Sequence, residues 1–437
     1  MPLSVISAQP VEQNLAIRRN RPRIAFFDYP DVFEDFYSHY GVSQRSFATS
    51  WADTANHAWV RLIQREIGNV RWFEFSIAPE MTDAQHKSVG CNVRFLKSSR
   101  LHRFLWKLFY LPKAAWKWRR FYGSYATVAS YLAPCSLAFV TAVRKERPDA
   151  LCAQSYSSGK FDLLLFLARA RRIPLLVFHS GEEPGTYHGH WVKRWTIRRA
   201  DWIFASGERE RQSLMNRYGA SASRINIIRP AVDLTVFRPL ERGAACAVLG
   251  LDANRRYILF CGRLQDAVKR VSAIIRAFAT AAAGKSSTLL VAGDGADRAK
   301  LERLANESAA GRVQFLGWIS DPETKAQLYN AAECLVLAST REGAPAVVSE
   351  ALACGRPVVA TDVGAISDLI VSGETGWLLQ PADDDALASA LADVLAQPEH
   401  VAAMRPTCRQ MAESHVSAEV VTAALKSGFA AVGIVDE

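Results

Sequence analysis

The chain has 437 residues, more than one hydrophobic core ordinarily supports, and 49% of them are hydrophobic, which excludes a disordered polymer and points to two or three packed domains. The formal net charge is +10, and no apolar run approaches the roughly eighteen residues needed to span a bilayer, which excludes a spanning helix. Eight cysteines stand singly, without the close pairs of a zinc site or a redox motif, and read as reduced, buried thiols.

Residues 1–23 lack the apolar core of a signal peptide, so a cytoplasmic location is expected. Short buried strands are predicted at 23–28 (RIAFFD), 70–76, 150–155, 173–178, 201–206 and 225–230, with helical patterns between most of them. From Ala84 to Lys145 there is no Asp or Glu, while Lys and Arg recur throughout. Within that stretch Leu101, Phe104, Leu105 and Leu108 fall on one helical face and Arg100, Arg103 and Lys107 on another, with Trp106, Trp116 and Trp118 interleaved. A basic, tryptophan-bearing amphipathic segment reads as a surface for anionic lipid. Single-stranded nucleic acid is the rival partner, but no binding motif accompanies the pattern and none is expected; an ordinary surface helix is the plain alternative. His179 ends the 173–178 strand, either closing it or serving a site. His188 and His190 form an HxH with no third ligand at a matching spacing, so a surface loop is preferred to a metal site. The segment 231–246 has no sustained periodicity and is taken as the linker. The expected domains are 1–235 and 236–415, with 416–437 a C-terminal helix returning to the first domain.

The second half repeats the alternation, with strands predicted at 256–262, 287–293, 313–319, 333–339 and 356–362. The fold class is therefore α/β: two Rossmann-like, doubly wound parallel-sheet domains, with ligands at the carboxyl ends of strands that face each other across a cleft. Arg263 follows the first of these strands and Lys269 lies at the start of the next helix, so both cations can reach one anionic site. Gly293-Asp294-Gly295 is a tight glycine turn. Asp383, Asp384 and Asp385 precede ALASALADVL, where capping and helix-dipole complementation explain them better than metal binding.

The richest stretch is 333–381. Its strand is broken by Gly343-Ala344-Pro345 and followed by a helix that ends at Gly355. The amides of Ala346, Val347 and Val348 would face an anion, and a phosphate is the natural guest. Glu342 on the loop and Glu350 one turn into the helix would then hold sugar hydroxyls and a ribose diol at opposite ends of one ligand.

Glu342 and Glu350 with seven residues between them, followed by ALACGRPVVATDVG and SGETGWLL, resemble the donor site of glycosyltransferase family 4. The resemblance implies the GT-B fold and retention of anomeric configuration. It implies an NDP-sugar donor and no metal or other cofactor, with Arg263 and Lys269 on the diphosphate. Gly343, Ala344, Gly293 and Gly295 would line the donor, Leu316 and Trp318 of VQFLGWI would lie near the nucleobase, and His179 would face the transferred sugar. The acceptor would be a hydroxyl of a glycan or lipid-linked molecule in cell-surface polysaccharide or glycolipid synthesis, with a peripheral position at the inner membrane face. The chain departs from the pattern at DYPDVFEDFYSHYG after the first strand, at IIRPAVDLTVF, and at Arg270 after Lys269. A nucleotide-sugar epimerase or hydrolase on the same fold, and a non-catalytic sugar-nucleotide-binding partner, stay open at this point.

Overall fold

The computed structural model describes residues 21–37, 41–49, 55–109, 128–179, 190–284 and 286–436. Trp116, Trp118 and His188 lie outside the described residues.

The strands are β1 (Arg23–Phe27), β2 (Asn69–Ser76), β3 (Asp83–Gln85), β4 (Asn92–Lys97), β5 (Ala150–Gln154), β6 (Leu175–Phe178), β7 (Trp202–Ala205) and β8 (Ile225–Ile227), then β9 (Arg256–Cys261), β10 (Ser287–Ala292), β11 (Val313–Gly317), β12 (Cys334–Leu337), β13 (Val358–Thr361) and β14 (Gly376–Leu379). They form an eight-stranded sheet in the order β3-β4-β2-β1-β5-β6-β7-β8 and a six-stranded sheet in the order β11-β10-β9-β12-β13-β14. Strands β5, β6 and β12 are buried at every position, as apolar runs covered by helices on both faces must be. The registered pairs of the second sheet are parallel, and in the first only β3 against β4 is antiparallel among those registered.

By contact density the described chain divides into two units. The first holds the residues up to Phe178, residues 190–203 and those from Leu425 on; the second holds His179 and Phe204–Ala424. The core of the first unit is aromatic, with Phe27 stacked on Phe73 at 4.9 Å and Phe26 tilted against Trp72 at 5.5 Å. In the second unit, aliphatic side chains of β9, β10, β12 and β13 meet the helix Val271–Ala281 and the helix Ala346–Ala353.

The segment 231–246 is packed into the second unit. Val232 and Phe237 are buried in its core, the Val232 amide donates to Val416 at 2.9 Å, and Glu241 caps the helix Arg242–Val248 by accepting from Gly243 and Ala244. Two anchors five residues apart create no period, which is why the sequence reads as a linker there. The contact division falls earlier in the chain, within β7.

Candidate functional site

In the six-stranded sheet the chain leaves β9 for β10 on one side, while β12 lies on the other. Ligands of such sheets bind outside the carboxyl ends of the strands at this point of reversal. The two loops that emerge there begin at Gly262 and at Ala338, and they carry the acids and cations singled out in the sequence.

The first loop is closed by glycines. The Gly262 amide donates to Ala292 at 2.9 Å and the Leu264 amide to Asp294 at 2.9 Å. A Cβ at Gly293, whose φ is +151°, would lie 1.8 Å from the Gly262 carbonyl oxygen, and one at Gly295 would lie 2.5 Å from that of Leu264. Only glycine permits this approach. Arg263 is exposed just beyond it. The short helix Asp266–Lys269 is pinned at its start: Asp266 receives the Ser272 amide at 2.8 Å and the Lys300 ammonium at 3.0 Å. Burial opposes ionisation of Asp266, but these donors outweigh it and hold its pKa below the ordinary carboxylate value. Lys269 closes the helix and Arg270 follows in the left-handed region at φ +49°.

The second loop is fixed against the first. The Thr340 amide donates to Val268 at 2.8 Å, the Thr361 hydroxyl donates to the Ser339 carbonyl at 2.6 Å, and the Ala365 amide donates to Gly343 at 2.8 Å. There is no room for a Cβ at Gly364, which would meet the Glu342 carbonyl at 2.3 Å. Glu342 is thereby presented to Lys269: one carboxylate oxygen, Oε1, accepts from Lys269 Nζ at 2.5 Å and from Ser339 Oγ at 2.6 Å.

The helix Ala346–Ala353 begins at Pro345 with no side-chain cap, and the Val348 amide turns back to the Pro345 carbonyl at 3.1 Å. Ala346 is exposed, Val347 half-buried and Val348 buried. Glu350, buried on this helix, is held by Lys325 Nζ at 3.0 Å on one oxygen and by the Tyr329 hydroxyl at 2.8 Å on the other. Burial, with the charge of Glu350 among the lesser causes, pushes the Tyr329 phenol well above its ordinary pKa, so it stays a donor. Lys325 and Tyr329 sit one turn apart on the helix Pro322–Ala331, and neither was singled out in the sequence. Leu316 is half-buried in β11, and Trp318 just beyond it is 55% exposed.

His179 is 2% exposed and makes a different contact. Its Nδ1 lies 2.6 Å from Glu210 Oε1, and its amide donates to Phe204 at 3.1 Å. Burial works against ionisation of Glu210, yet His179 and the Ser206 amide and hydroxyl keep its pKa below the ordinary value. Asp383 accepts from the Ala386 amide, capping the helix Asp384–Ala396, while Asp384 pairs with Arg270 at 2.6 Å.

The first unit holds a buried polar cluster that the sequence reading passed over. Asp28, just beyond β1, accepts from the Tyr37 hydroxyl and the Asn56 amide, and Lys160 donates to the carbonyls of Asp28 and, at 2.8 Å, of Pro30. Glu74 is held well above the ordinary carboxylate range by burial and by the neighbouring Asp28. Burial pushes Asp31 up to about 7. This cluster lies at the reversal point of the eight-stranded sheet, where β1 stands between β2 and β5. The available signal was charge inside apolar runs: Asp28 closes RIAFFD and Lys160 sits within GKFDLLLF.

On the helix Arg100–Phe109, Leu101 and Phe104 are 53% and 66% exposed, and Arg100 and Lys107 are exposed beside them. Trp106 instead donates to Asp35 at 2.8 Å, and Arg103 donates to the Ser98 carbonyl.

With this geometry in view, comparison with known proteins gives a consistent result. Residues 255–397 match the model for glycosyl transferases group 1, and residues 117–236 match that for glycosyltransferase family 4. The chain is 34% identical over 227 residues to D-inositol 3-phosphate glycosyltransferase of Rhodococcus opacus, covering 50% of each chain. It is 37% identical over 212 residues to the protein of that name from Mycolicibacterium paratuberculosis, covering 47% of this chain and 46% of the relative. The chain thus spans about half the length of the curated relatives it matches. Among solved structures, sucrose-phosphate synthase from Thermosynechococcus elongatus superposes with a TM-score of 0.70 at 22% identity, covering 93% of this chain and 98% of that one. Anabaena HepE in complex with UDP superposes with a TM-score of 0.68 at 15% identity, covering 93% and 99%. The shared fold is GT-B.

Proposed function

Because the chain belongs to glycosyltransferase family 4, we propose that it is a retaining, metal-independent glycosyltransferase that moves a hexose from an NDP-sugar to a hydroxyl of a glycan or lipid-linked acceptor. The observation that carries this reading is the meeting of Lys269 and Glu342 at the reversal point of the second sheet, beside the N-terminus of the helix Ala346–Ala353. In this reading Lys269 and Arg263 receive the diphosphate and stabilise the charge that develops on it as the sugar–phosphate bond breaks. Glu342 takes sugar hydroxyls, and Glu350, oriented by Lys325 and Tyr329, takes the ribose diol. A fold relative, Anabaena HepE, was solved in complex with UDP, which supports a nucleotide ligand. Leu316 and Trp318 are assigned to the base.

The acceptor oxygen bonds to the anomeric carbon on the face the phosphate leaves, and its proton passes to the departing phosphate oxygen. The protein supplies orientation and charge in this step. His179, already engaged by Glu210, is assigned to shaping the sugar side of the site. The exposed Leu101 and Phe104 between cations support a peripheral position on anionic lipid, where a lipid-linked acceptor is found. Thermal shift with a panel of UDP- and GDP-sugars in EDTA tests the donor assignment. Stabilisation by one donor in the wild type and its loss in Lys269→Met is the expected result, and no stabilisation by any donor contradicts it.

A further inference from the structure

Lys269 and Glu342 form an ion pair, although the proposed reaction assigns the one to the diphosphate and the other to the sugar. The pair is fixed. One oxygen of Glu342 takes both Lys269 at 2.5 Å and Ser339 at 2.6 Å. The loops that bear the two residues are joined by the Thr340 amide on Val268, and the glycine contact at Gly364 leaves the Glu342 backbone no space to retreat. The side chains are 9% exposed at Glu342 and 22% at Lys269, so water and salt screen their charges weakly.

We infer that Glu342 is a specificity-determining residue that discriminates the glycosylated donor from the free nucleoside diphosphate, by competing with the terminal phosphate for Lys269. The inference rests on the proposed function and deepens it. A terminal phosphate gains a second negative charge near pH 6, whereas the phosphate that carries a hexose keeps only one. The additional charge falls beside the Glu342 carboxylate and is repelled by it. An ionised carboxylate can only accept hydrogen bonds. A hexose brings hydroxyl donors to Glu342 and so repays the displacement of Lys269, whereas a free nucleoside diphosphate brings none. The consequence is weak inhibition by the reaction's own product.

The test is a set of calorimetric titrations of NDP and of the matching NDP-hexose into wild type, Glu342→Gln and Ser339→Ala, at pH 5.5 and 7.5. Glu342→Gln keeps the shape and removes the charge. It should bind NDP about tenfold more tightly than the wild type at pH 7.5 while binding NDP-hexose no more tightly. Ser339→Ala keeps the charge and should not tighten NDP. The wild type alone gives a second reading that needs no variant to fold: its affinity for NDP should fail to rise between pH 5.5 and 7.5, although two cations would by themselves favour the dianion. Equal weakening of both ligands in Glu342→Gln, or a wild-type NDP affinity that rises with pH, overturns the inference and leaves the donor site standing. Failure of the wild type to bind either ligand sinks the functional reading itself, and the inference with it.

Discussion

Two glutamates eight positions apart have separate supports, and the supports predict separate phenotypes. Glu350 is fixed by neutral and charged donors from a neighbouring helix. Tyr329→Phe removes one of them, which should weaken NDP binding by roughly 1 kcal/mol with little change in kcat. Glu350→Ala should likewise act on nucleotide affinity, whereas Glu342→Ala should act chiefly on turnover; equal and negligible effects in both would refute the assignment. Asp31 makes a prediction about stability. Burial raises it from 3.8 to about 7 in the folded chain, so between those values the unfolded chain has lost a proton that the folded chain keeps. The contribution of Asp31 to stability therefore falls as pH rises from about 4 to about 7 and is level above that. Asp31→Asn should remove this slope in denaturant titrations at pH 5 and 8, and an unchanged slope would contradict the burial assigned to it.

Among elements, the glycine approach between the ends of β9 and β10 is the tightest constraint on the loops assigned to the donor. Gly293→Ala would place a methyl group 1.8 Å from a carbonyl oxygen, and should cost at least about 3 kcal/mol or prevent folding, read as the melting temperature. The helix Arg100–Phe109 makes a prediction of another kind. Leu101→Asp with Phe104→Asp should abolish flotation with anionic vesicles at low salt while leaving the melting temperature within a few degrees, since both side chains face solvent. Unchanged flotation would remove the lipid surface from the account. The elements differ in how far they could be read from sequence. Strands covered on both faces announce themselves as apolar runs, and the helix Ala346–Ala353 is bounded by Pro345 and by Gly355 at φ +66°. Strands β3, β4 and β14 are short, polar or half-buried and give no such run. The partnership of His179 with Glu210 joins residues on different elements, so spacing along the chain could not reveal it.

At the scale of the molecule, two sheets each carry charge at their point of reversal. In the second sheet the charged residues could be read, because the acids and cations fall in a short ordered motif between a strand and a helix. In the first they could not: Asp28 with Asp31, Glu74 and Lys160 come from three separate stretches and meet only through folding. Asp28 and Asp31 of the first-unit cluster lie in DYPDVFEDFYSHYG, where the chain departs from the family pattern, so the proposed acceptor side was the less legible. The proposed transfer runs on fixed cations. Its most direct test is release of NDP from the stabilising NDP-hexose in EDTA, with and without a lipid extract, using the wild type and Lys269→Met, and with the anomeric configuration of the product read by NMR. The account predicts extract-dependent release in EDTA, a product that keeps the donor's configuration, and a loss of roughly a hundredfold or more in Lys269→Met. Release that stops in EDTA and returns with a divalent cation, or a product of inverted configuration, would contradict it.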